Sequence, residues 1–199
     1  MEKRLFIALK YSPDEQFLES YSAIQSRVNT WAKIKWVPSH QLHLTLCFLG
    51  NTDVLLIDSI ETAINATCTR QQAFDARILQ LNIFSHQRQP RVLWMGLEPI
   101  KRFQQLQSLL LQQLMQEFDR IKTQVDLPRI ETESHFTPHL TLGRFKSTYD
   151  LNPMRNYLAS QSETVFGIWP VRQVVLYESI LSPTGPTYHQ LQVTNLQIV

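Results

Sequence analysis

The chain has 199 residues, of which 43% are hydrophobic and 18% charged, and this balance excludes an intrinsically disordered protein. The formal net charge of +2 is too small for tight binding along a long nucleic acid, although it permits a local basic cleft. Two cysteines are too few for a disulfide framework. The apolar run at residues 5–9 is too short for a signal peptide, and no apolar run approaches the length of a membrane span. We therefore expect a single cytoplasmic domain over residues 1–199, with room for two lobes.

The first half of the chain alternates between strand and helix patterns. Residues 4–10 predict a strand, and residues 13–33 predict a helix because apolar side chains recur at steps of four and three. Ser12 supplies a capping hydroxyl for this helix. A short strand is expected from residue 35 and a longer one over 42–49, ended by Gly50. A second helix is expected over 54–68, with Asp53 as its cap.

The second half continues this alternation and ends in strands. Residues 73–84 and 91–97 predict two strands joined by a polar loop, and a third helix is expected to start near Pro99. Residues 123–134 predict a loop or weak strand leading into a strand at His139, and residues 152–160 predict a short helix. Residues 166–181 and 188–199 predict the last strands, with Pro170 indicating an edge or a bulge in the first of them.

One tetrapeptide occurs twice: His-Leu-Thr-Leu stands at 43–46 and again at 139–142. Side chains alternate between the two faces of a strand, so His43 and Thr45 share one face while the leucines take the other. The same alternation puts His139 and Thr141 on one face of the second copy. If the two strands lie side by side, two imidazoles and two hydroxyls converge on one place.

Other interpretations of these histidines compete. A single histidine in a strand is most often a hydrogen-bonded structural residue, and a repeated tetrapeptide can arise by chance. A metal site is a third alternative, built from His40, His43, His135 and His139. Pro138 disfavours the helix that the His135/His139 spacing would need, and no Cys, Asp or Glu cluster completes a zinc set. We therefore expect no metal.

Several segments together resemble a known family. They are RLFIAL at 4–9, WVP at 36–38, LHLTL at 42–46, FLG at 48–50, RVLW at 91–94, PHLTLGR at 138–144 and GPTY at 185–188. The paired motifs resemble the 2H phosphoesterases, and more closely the bacterial and archaeal RNA 2′,3′-cyclic phosphodiesterases, also called 2′-5′ RNA ligases. The resemblance implies an α+β fold of two antiparallel sheets that flank a central cleft. Helices would lie outside, with one motif in each lobe and an approximate two-fold axis between the lobes.

The four motif side chains can open a cyclic phosphate without a cofactor. One imidazole can take a proton from water while the other donates to the leaving ribose oxygen, and the threonine hydroxyls can stabilise charge on phosphate. The residues alone leave open which histidine is the acid. The resemblance implies His43 as proton donor and His139 as proton acceptor, with a 2′-phosphomonoester as product. It also implies ATP-independent 2′-5′ ligation as the reverse reaction, and RNA with a 2′,3′-cyclic phosphate end as the partner of a monomeric enzyme.

Three further residues are candidate substrate contacts. Arg91 and Arg144 could bind phosphate or RNA, with a surface salt bridge as the alternative for each. Strict alternation from His139 puts Gly143, not Arg144, on the cleft face, so Arg144 needs a bulge or a strand end. Tyr188, in the loop predicted at 185–188, lines the cleft or packs at the edge of the core.

The same alternation assigns the residues that follow the first motif. It puts Phe48 on the core side and Cys47 on the cleft face, where the resemblance implies a basic residue in many relatives. Cys47 is expected to fill space there rather than act as a nucleophile, because no neighbour is evident that would activate it. Trp36 and Trp94 are expected in the core.

Two alternative functions remain. One is a 2H phosphodiesterase that acts on small cyclic nucleotides or 2′-5′ oligoadenylates, which would share the fold and the catalytic residues. The other is an RNA-end-binding module without turnover. The two complete motifs argue against that module, because binding alone does not need both histidines.

Overall fold

The computed structural model describes residues 1–122, 125–130, 136–183 and 185–198. Within these residues the chain forms four α-helices: α1 (Glu15–Val28), α2 (Ile57–Cys68), α3 (Ile100–Ile121) and α4 (Leu151–Ser160). The strands are β1 (Glu2–Lys10), β2 (Ala32–Trp36), β3 (His43–Asp53), β4 (Phe74–His86), β5 (Gln89–Glu98), β6 (His139–Thr148), β7 (Val165–Val171), β8 (Gln173–Ser182) and β9 (Gly185–Asn195). None of the described helices combines the length and the apolar character needed to cross a membrane.

The strands form two antiparallel sheets. The first has the order β3-β1-β8-β9, and the second has the order β2-β6-β5-β4-β7. If β2 is set aside, the second sheet repeats the first, with a motif strand followed by three antiparallel neighbours. The expected α+β fold with one motif in each lobe is confirmed. The motif strands do not pair with each other, however, because β3 and β6 belong to different sheets.

Helix α1 is shorter than its periodicity predicts. Asp14, rather than Ser12, caps it by accepting a hydrogen bond from the backbone N–H of Phe17 at 2.8 Å. The helix ends at Val28, and the last predicted residues belong instead to β2, which pairs with β6. The β2 sequence Ala-Lys-Ile-Lys-Trp alternates apolar and charged residues, so hydrogen bonding to β6 prevails there over a continued helical pattern.

Strand β3 runs further than predicted. Gly50 does not end it, because this residue adopts a φ of 69° inside an irregular pairing with β1 and the strand continues to Asp53. Asp53 is a cap, as expected: its carboxylate accepts the N–H of Leu55 in a short 3₁₀ turn that precedes α2.

The single strand predicted over 166–181 is in fact two strands. Strand β7 lies at the edge of the second sheet, which agrees with the position inferred from Pro170, whereas β8 pairs with β1 in the first sheet. The chain changes sheets at Arg172, whose guanidinium donates to the carboxylate of Asp75. Strand β9 already starts at Gly185, so the predicted loop at 185–188 is wrong. The prediction for 123–134 falls partly on residues outside the described ranges.

The core lies between the inner faces of the sheets and the helices. Fully buried side chains from both sheets and from all four described helices form one continuous cluster, which includes Leu5, Leu44, Ile64, Leu110 and Leu140. Leu44 and Leu140 are the second residues of the two motifs. Their burial leaves each motif's histidine and threonine on the opposite face of the strand.

Candidate active site

Each motif histidine is held by the backbone two residues before it. Nδ1 of His43 lies 2.7 Å from the carbonyl oxygen of Gln41, and Nδ1 of His139 lies 2.8 Å from that of Thr137. A carbonyl oxygen only accepts hydrogen bonds, so Nδ1 carries the proton in both rings. The proton that each neutral imidazole can gain, and each imidazolium can give, is therefore the one on Nε2.

Aromatic side chains from neighbouring strands pack around His43. The ring of Phe6 in β1 lies 5.2 Å from the imidazole, and Tyr188 in β9 meets it edge-on at 5.4 Å. Phe6 also stacks on Tyr177 at 5.0 Å, so the three rings form one supporting surface. This packing and the Gln41 carbonyl together restrict the imidazole to one orientation.

His139 has an equivalent surrounding. Phe84 approaches its ring edge-on at 4.9 Å and Trp94 at 5.8 Å, and these two rings stack on each other at 4.7 Å. Trp94 is buried, as expected for a core residue, and in addition it supports the second histidine. The two halves of the protein thus present an imidazole in the same way.

The electrostatic surroundings of His43 favour its neutral form. Burial lowers the pKa of His43, the hydrogen bond to Gln41 opposes that effect, and the nearby charge of His139 lowers the pKa further. The last effect shows that the two histidines are close enough to influence each other. A bound anion would act in the opposite direction and favour the imidazolium.

A β-bulge changes the faces of β3 after its motif. Thr45 pairs with Ala8 and Cys47 with Ile7, so Leu46 is an extra residue on this strand. Beyond it, the alternation is reversed. Cys47 therefore points into the core, where burial raises its thiol pKa to about 12, and the prediction that it lies on the cleft face is wrong. Since a thiol with this pKa stays protonated, it is not a nucleophile.

The same bulge corrects the position of Phe48. Strict alternation assigned this residue to the core side, but it lines the cleft. The guanidinium of Arg4 lies over its ring, 4.8 Å from the centroid. The result is a flat surface that combines an aromatic ring with a cation.

The second motif carries a bulge at the equivalent place. In β6, Thr141 pairs with Trp94 and Gly143 with Leu93, so Leu142 is the extra residue. The carbonyl oxygen of Leu142 accepts the N–H of Val37 at 2.8 Å and the hydroxyl of Tyr21 at 2.9 Å. These two bonds satisfy a backbone group that the bulge removes from the regular ladder.

This bulge turns Arg144 toward the cleft. A bulge was one of the two ways in which the sequence allowed Arg144 to reach the cleft face. Gly143 faces the other way, against β2. A Cβ at Gly143 would lie 2.4 Å from Cγ2 of Ile34 and 3.0 Å from the carbonyl oxygen of Lys35. Only glycine therefore permits the close contact between β2 and β6 that supports Arg144.

The bulged strands open onto one cleft of about 360 Å³ between the two sheets. The first sheet contributes His43, Thr45 and Tyr188 to its lining, and the second contributes Thr141 and Arg144. Burial raises the pKa of the Tyr188 hydroxyl, although the charges of Arg144 and Arg4 oppose this. Its hydroxyl is therefore a hydrogen-bond donor at neutral pH.

The cleft carries positive charge. Arg4, Lys35 and Arg144 are the cations among the described residues that line it, and no Asp or Glu occurs in that set. A concave surface with one sign of charge favours an anionic ligand. Phosphate is one anion that such hydroxyl and guanidinium donors can bind.

The structure does not bring Arg91 into this cleft. Val92 pairs with Phe84 and Pro90 with Ser85, so Arg91 is an extra residue at a bulge in β5. It is exposed and lines a separate surface depression together with Arg88, Lys146 and Tyr149. The expectation that Arg91 contacts substrate beside the histidines is therefore not supported by its position.

Sequence reasoning missed several residues of the cleft. Arg4, Phe6 and Lys35 were not singled out, and Trp36 was assigned to the core although it also lines the cleft. The alternation of β1 would have placed Arg4 and Phe6 on one face, which is the only available signal. No such signal was available for Lys35, because its strand was expected to begin at this residue and no earlier strand residue could define the face of its side chain.

The structure gives no support to the alternative of a metal site. Among the described residues, no group of three His, Cys, Asp or Glu side chains is placed to hold a metal ion. His135, one of its proposed ligands, lies outside the described ranges.

Comparisons with known proteins agree with this architecture. A family model described as the 2′-5′ RNA ligase superfamily matches residues 15–180. A curated protein of Methanothermobacter thermautotrophicus, named RNA 2′,3′-cyclic phosphodiesterase, is 28% identical over 197 residues, or 98% of this chain and 100% of the relative. A protein of the same name from Thermus thermophilus is 30% identical over 98% of this chain and 90% of its own length.

Solved structures show the same fold. The crystal structure of a Thermus thermophilus protein superposes with a TM-score of 0.76 at 27% identity, covering 97% of each chain. E. coli LigT complexed with 3′-AMP superposes with a TM-score of 0.72 at 20% identity, covering 98% of this chain and 99% of the other. At that lower identity the second comparison supports the fold alone.

Proposed function

Because the chain belongs to the 2′-5′ RNA ligase superfamily, we propose that it hydrolyses 2′,3′-cyclic phosphodiester ends of RNA to 2′-phosphomonoesters. Relatives that align along nearly all of the chain carry the name RNA 2′,3′-cyclic phosphodiesterase. The observation that carries the proposal is the pair of bulged His-x-Thr strands, one from each sheet, beside a cleft lined by cations.

The proposed reaction is an in-line displacement at phosphorus. His139 accepts a proton from water through Nε2 as the water oxygen bonds to phosphorus. The bond between phosphorus and the ribose 3′ oxygen breaks, and Nε2 of His43 donates its proton to that oxygen. The phosphate stays on the 2′ oxygen. Because one proton is accepted and one is donated, the two Nε2 atoms together still carry one proton after the reaction, now on His139.

The motif threonines would stabilise the reacting phosphate. The hydroxyls of Thr45 and Thr141 can donate to its non-bridging oxygens as charge accumulates there, while Arg144 gives the cleft a positive charge that attracts the anionic substrate. If an RNA 5′-hydroxyl takes the place of water, the same displacement forms a 2′-5′ linkage without ATP. We regard this ligation as secondary, because water is far more abundant than a positioned hydroxyl.

Two other properties belong to the same proposal. We infer one bilobal domain, which is supported by the continuous core shared by both sheets. We also infer a monomer in the cytoplasm; the free, buried thiols of Cys47 and Cys68 agree with a reducing compartment.

Incubation of the purified protein with a 2′,3′-cyclic nucleotide and excess EDTA tests the function. We expect full turnover in chelator and a product whose phosphate is on the 2′ oxygen, because two imidazoles and two hydroxyls supply the acid, the base and the charge stabilisation. The position of the phosphate is assigned by ³¹P NMR. Loss of activity in EDTA that one added metal ion restores would contradict the mechanism, and absence of turnover would support a binding module. A parallel series with 2′-5′ oligoadenylates tests the other alternative substrate.

The pH dependence is expected to differ between kcat/KM and kcat. His43 must be protonated to donate, so activity falls as pH rises through its pKa, and the free protein has that pKa below its ordinary value because of burial. The bound phosphate raises the pKa, so the basic limb of kcat should lie at higher pH than that of kcat/KM. The acidic limb reports the need for a neutral acceptor, and the two limbs belong to the coupled pair.

Turnover measured from about pH 5 to 9, the range in which histidine changes charge, checks this expectation. A basic limb that moves to lower pH in the complex would contradict a proton donor that lies beside the bound phosphate. A bell-shaped profile that survives the loss of one histidine would exclude the paired mechanism altogether.

A further inference from the structure

Two cations stand directly opposite each other in the cleft. Lys35 of β2 is the cross-strand partner of Arg144 of β6, and both side chains line the cleft. Facing side chains in such a pair lie about 5 Å apart, and like charges at this separation destabilise a sheet. The ion pairs found among the described residues involve other cations, so no carboxylate offsets the repulsion. An anion between Lys35 and Arg144 would do so.

The ammonium group of Lys35 lies beside Gly185. Nζ of Lys35 lies 3.3 Å from the position that a Cβ on Gly185 would occupy. Gly185 adopts a φ of 140°, which other residues rarely adopt, so the backbone there favours glycine. The side chain of Lys35 thus runs beside the start of β9 into the cleft.

This pair of cations is displaced along β6 from the threonine of the second motif. Thr141 and Arg144 share the cleft face of β6 and are separated by two steps of the ladder, since the bulge at Leu142 adds a residue without adding a pair. Two steps span roughly 7 Å. That distance is comparable to the distance between successive phosphates of an extended RNA strand.

Other side chains that line the same cleft suit a nucleoside. Phe48 with Arg4 over its ring offers a stacking platform for a base. Leu181, which is 65% exposed, adds apolar surface at the rim of the same cleft. Both lie among the groups that line the cleft with Lys35.

We propose that Lys35 and Arg144 form a second phosphate subsite, which binds the phosphate on the 5′ side of the terminal nucleotide. This inference rests on the proposed function and identifies the residues that recognise the 5′ side of its substrate. The preferred substrate is then a nucleotide with phosphate on both sides of its ribose, cyclic at the 2′,3′ end and esterified at the 5′ end. An RNA terminus meets that description, whereas a nucleoside 2′,3′-cyclic phosphate does not.

The test compares kcat/KM for three substrates: adenosine 2′,3′-cyclic phosphate, its 5′-phosphorylated form, and the dinucleotide ApA with a 2′,3′-cyclic end. We expect the native protein to prefer the two substrates with a 5′ phosphate by about tenfold or more, because charge-assisted hydrogen bonds to phosphate are strong. Preference for both indicates an internucleotide phosphate in the subsite. Preference for the 5′-phosphorylated nucleotide alone indicates a terminal monoester there. Either result supports the subsite.

The variant Lys35→Gln should bring the preference close to one, and rising salt should reduce it in the native protein. Lys33→Gln is the matched control, because Lys33 is an exposed lysine of the same strand that does not line the cleft. It should keep the full preference. Equal rates on all three substrates in the native protein, or equal losses on all three in Lys35→Gln, would overturn the subsite and leave the proposed function standing. Failure to hydrolyse any of the three would instead count against the function itself.

Discussion

Replacing either His43 or His139 by alanine is expected to lower turnover of a 2′,3′-cyclic phosphate by about 10²–10⁴-fold, the usual contribution of one general acid or base. Each imidazole has its tautomer set by a backbone carbonyl, so each is prepared for one proton transfer through Nε2. Loss of one ring leaves the other without its counterpart. The double variant should therefore be little worse than the poorer single variant, because the two act as a unit.

His189→Ala provides the matched control for these variants. His189 is an exposed histidine of β9 that follows Tyr188 directly and points to the other face of the strand. It should retain full turnover. Circular dichroism and thermal unfolding of all variants verify that the fold persists, since the motif leucines rather than the histidines form the core. Near-native turnover in either single motif variant, with the fold intact, would exclude the two-histidine mechanism.

The second largest effect is expected from the motif threonines. Thr45→Val and Thr141→Val keep the β-branched shape that a strand favours and remove only the hydroxyl. Loss of one donor to a transition-state oxygen typically costs about 10²–10³ in kcat. Both limbs of the pH profile should remain, because hydroxyls do not titrate in this range. A variant that changed KM alone would show that the hydroxyl binds the ground state and the transition state equally.

Thr148→Val is the control for this pair. Thr148 ends the strand that begins with His139 and pairs with Ala32, far along β6 from Thr141. It lines the separate depression near Arg91 rather than the cleft. Its turnover should equal that of the native protein. A loss in Thr148→Val similar to that in Thr141→Val would show that the substitution acts through the strand and not through the missing hydroxyl.

The most accurate predictions from sequence are those that depend on local patterns. The start of α3 after Pro99, the capping carboxylate of Asp53 and the edge position of Pro170 are all found as expected. Each depends on residues that are neighbours along the chain, so the sequence contains the information directly. The family resemblance is local in the same sense, because it rests on short segments that follow one another in a set order along this chain.

The predictions failed where the structure depends on pairing with strands that are distant in the sequence. Residues 32 and 33 leave the predicted helix and join β2 because β6 offers them a hydrogen-bonding partner. The segment at 166–181 divides at Arg172 because its halves bond to strands of different sheets. Neither partner is near in sequence, so helical or strand periodicity could not reveal the choice.

The sequence by itself determined that the histidine and threonine of each motif share a face, since alternation inside the tetrapeptide is regular. Only the tertiary structure decided what lies beside them. A bulge depends on how two strands pair, so no local sequence pattern reveals it. The bulge at Leu46 places Phe48 rather than Cys47 at the cleft, and the bulge at Leu142 places Arg144 rather than Gly143 there. The pairing of β2 with β6 then sets Lys35 opposite Arg144, because the register of two distant strands depends on the packing of the whole domain.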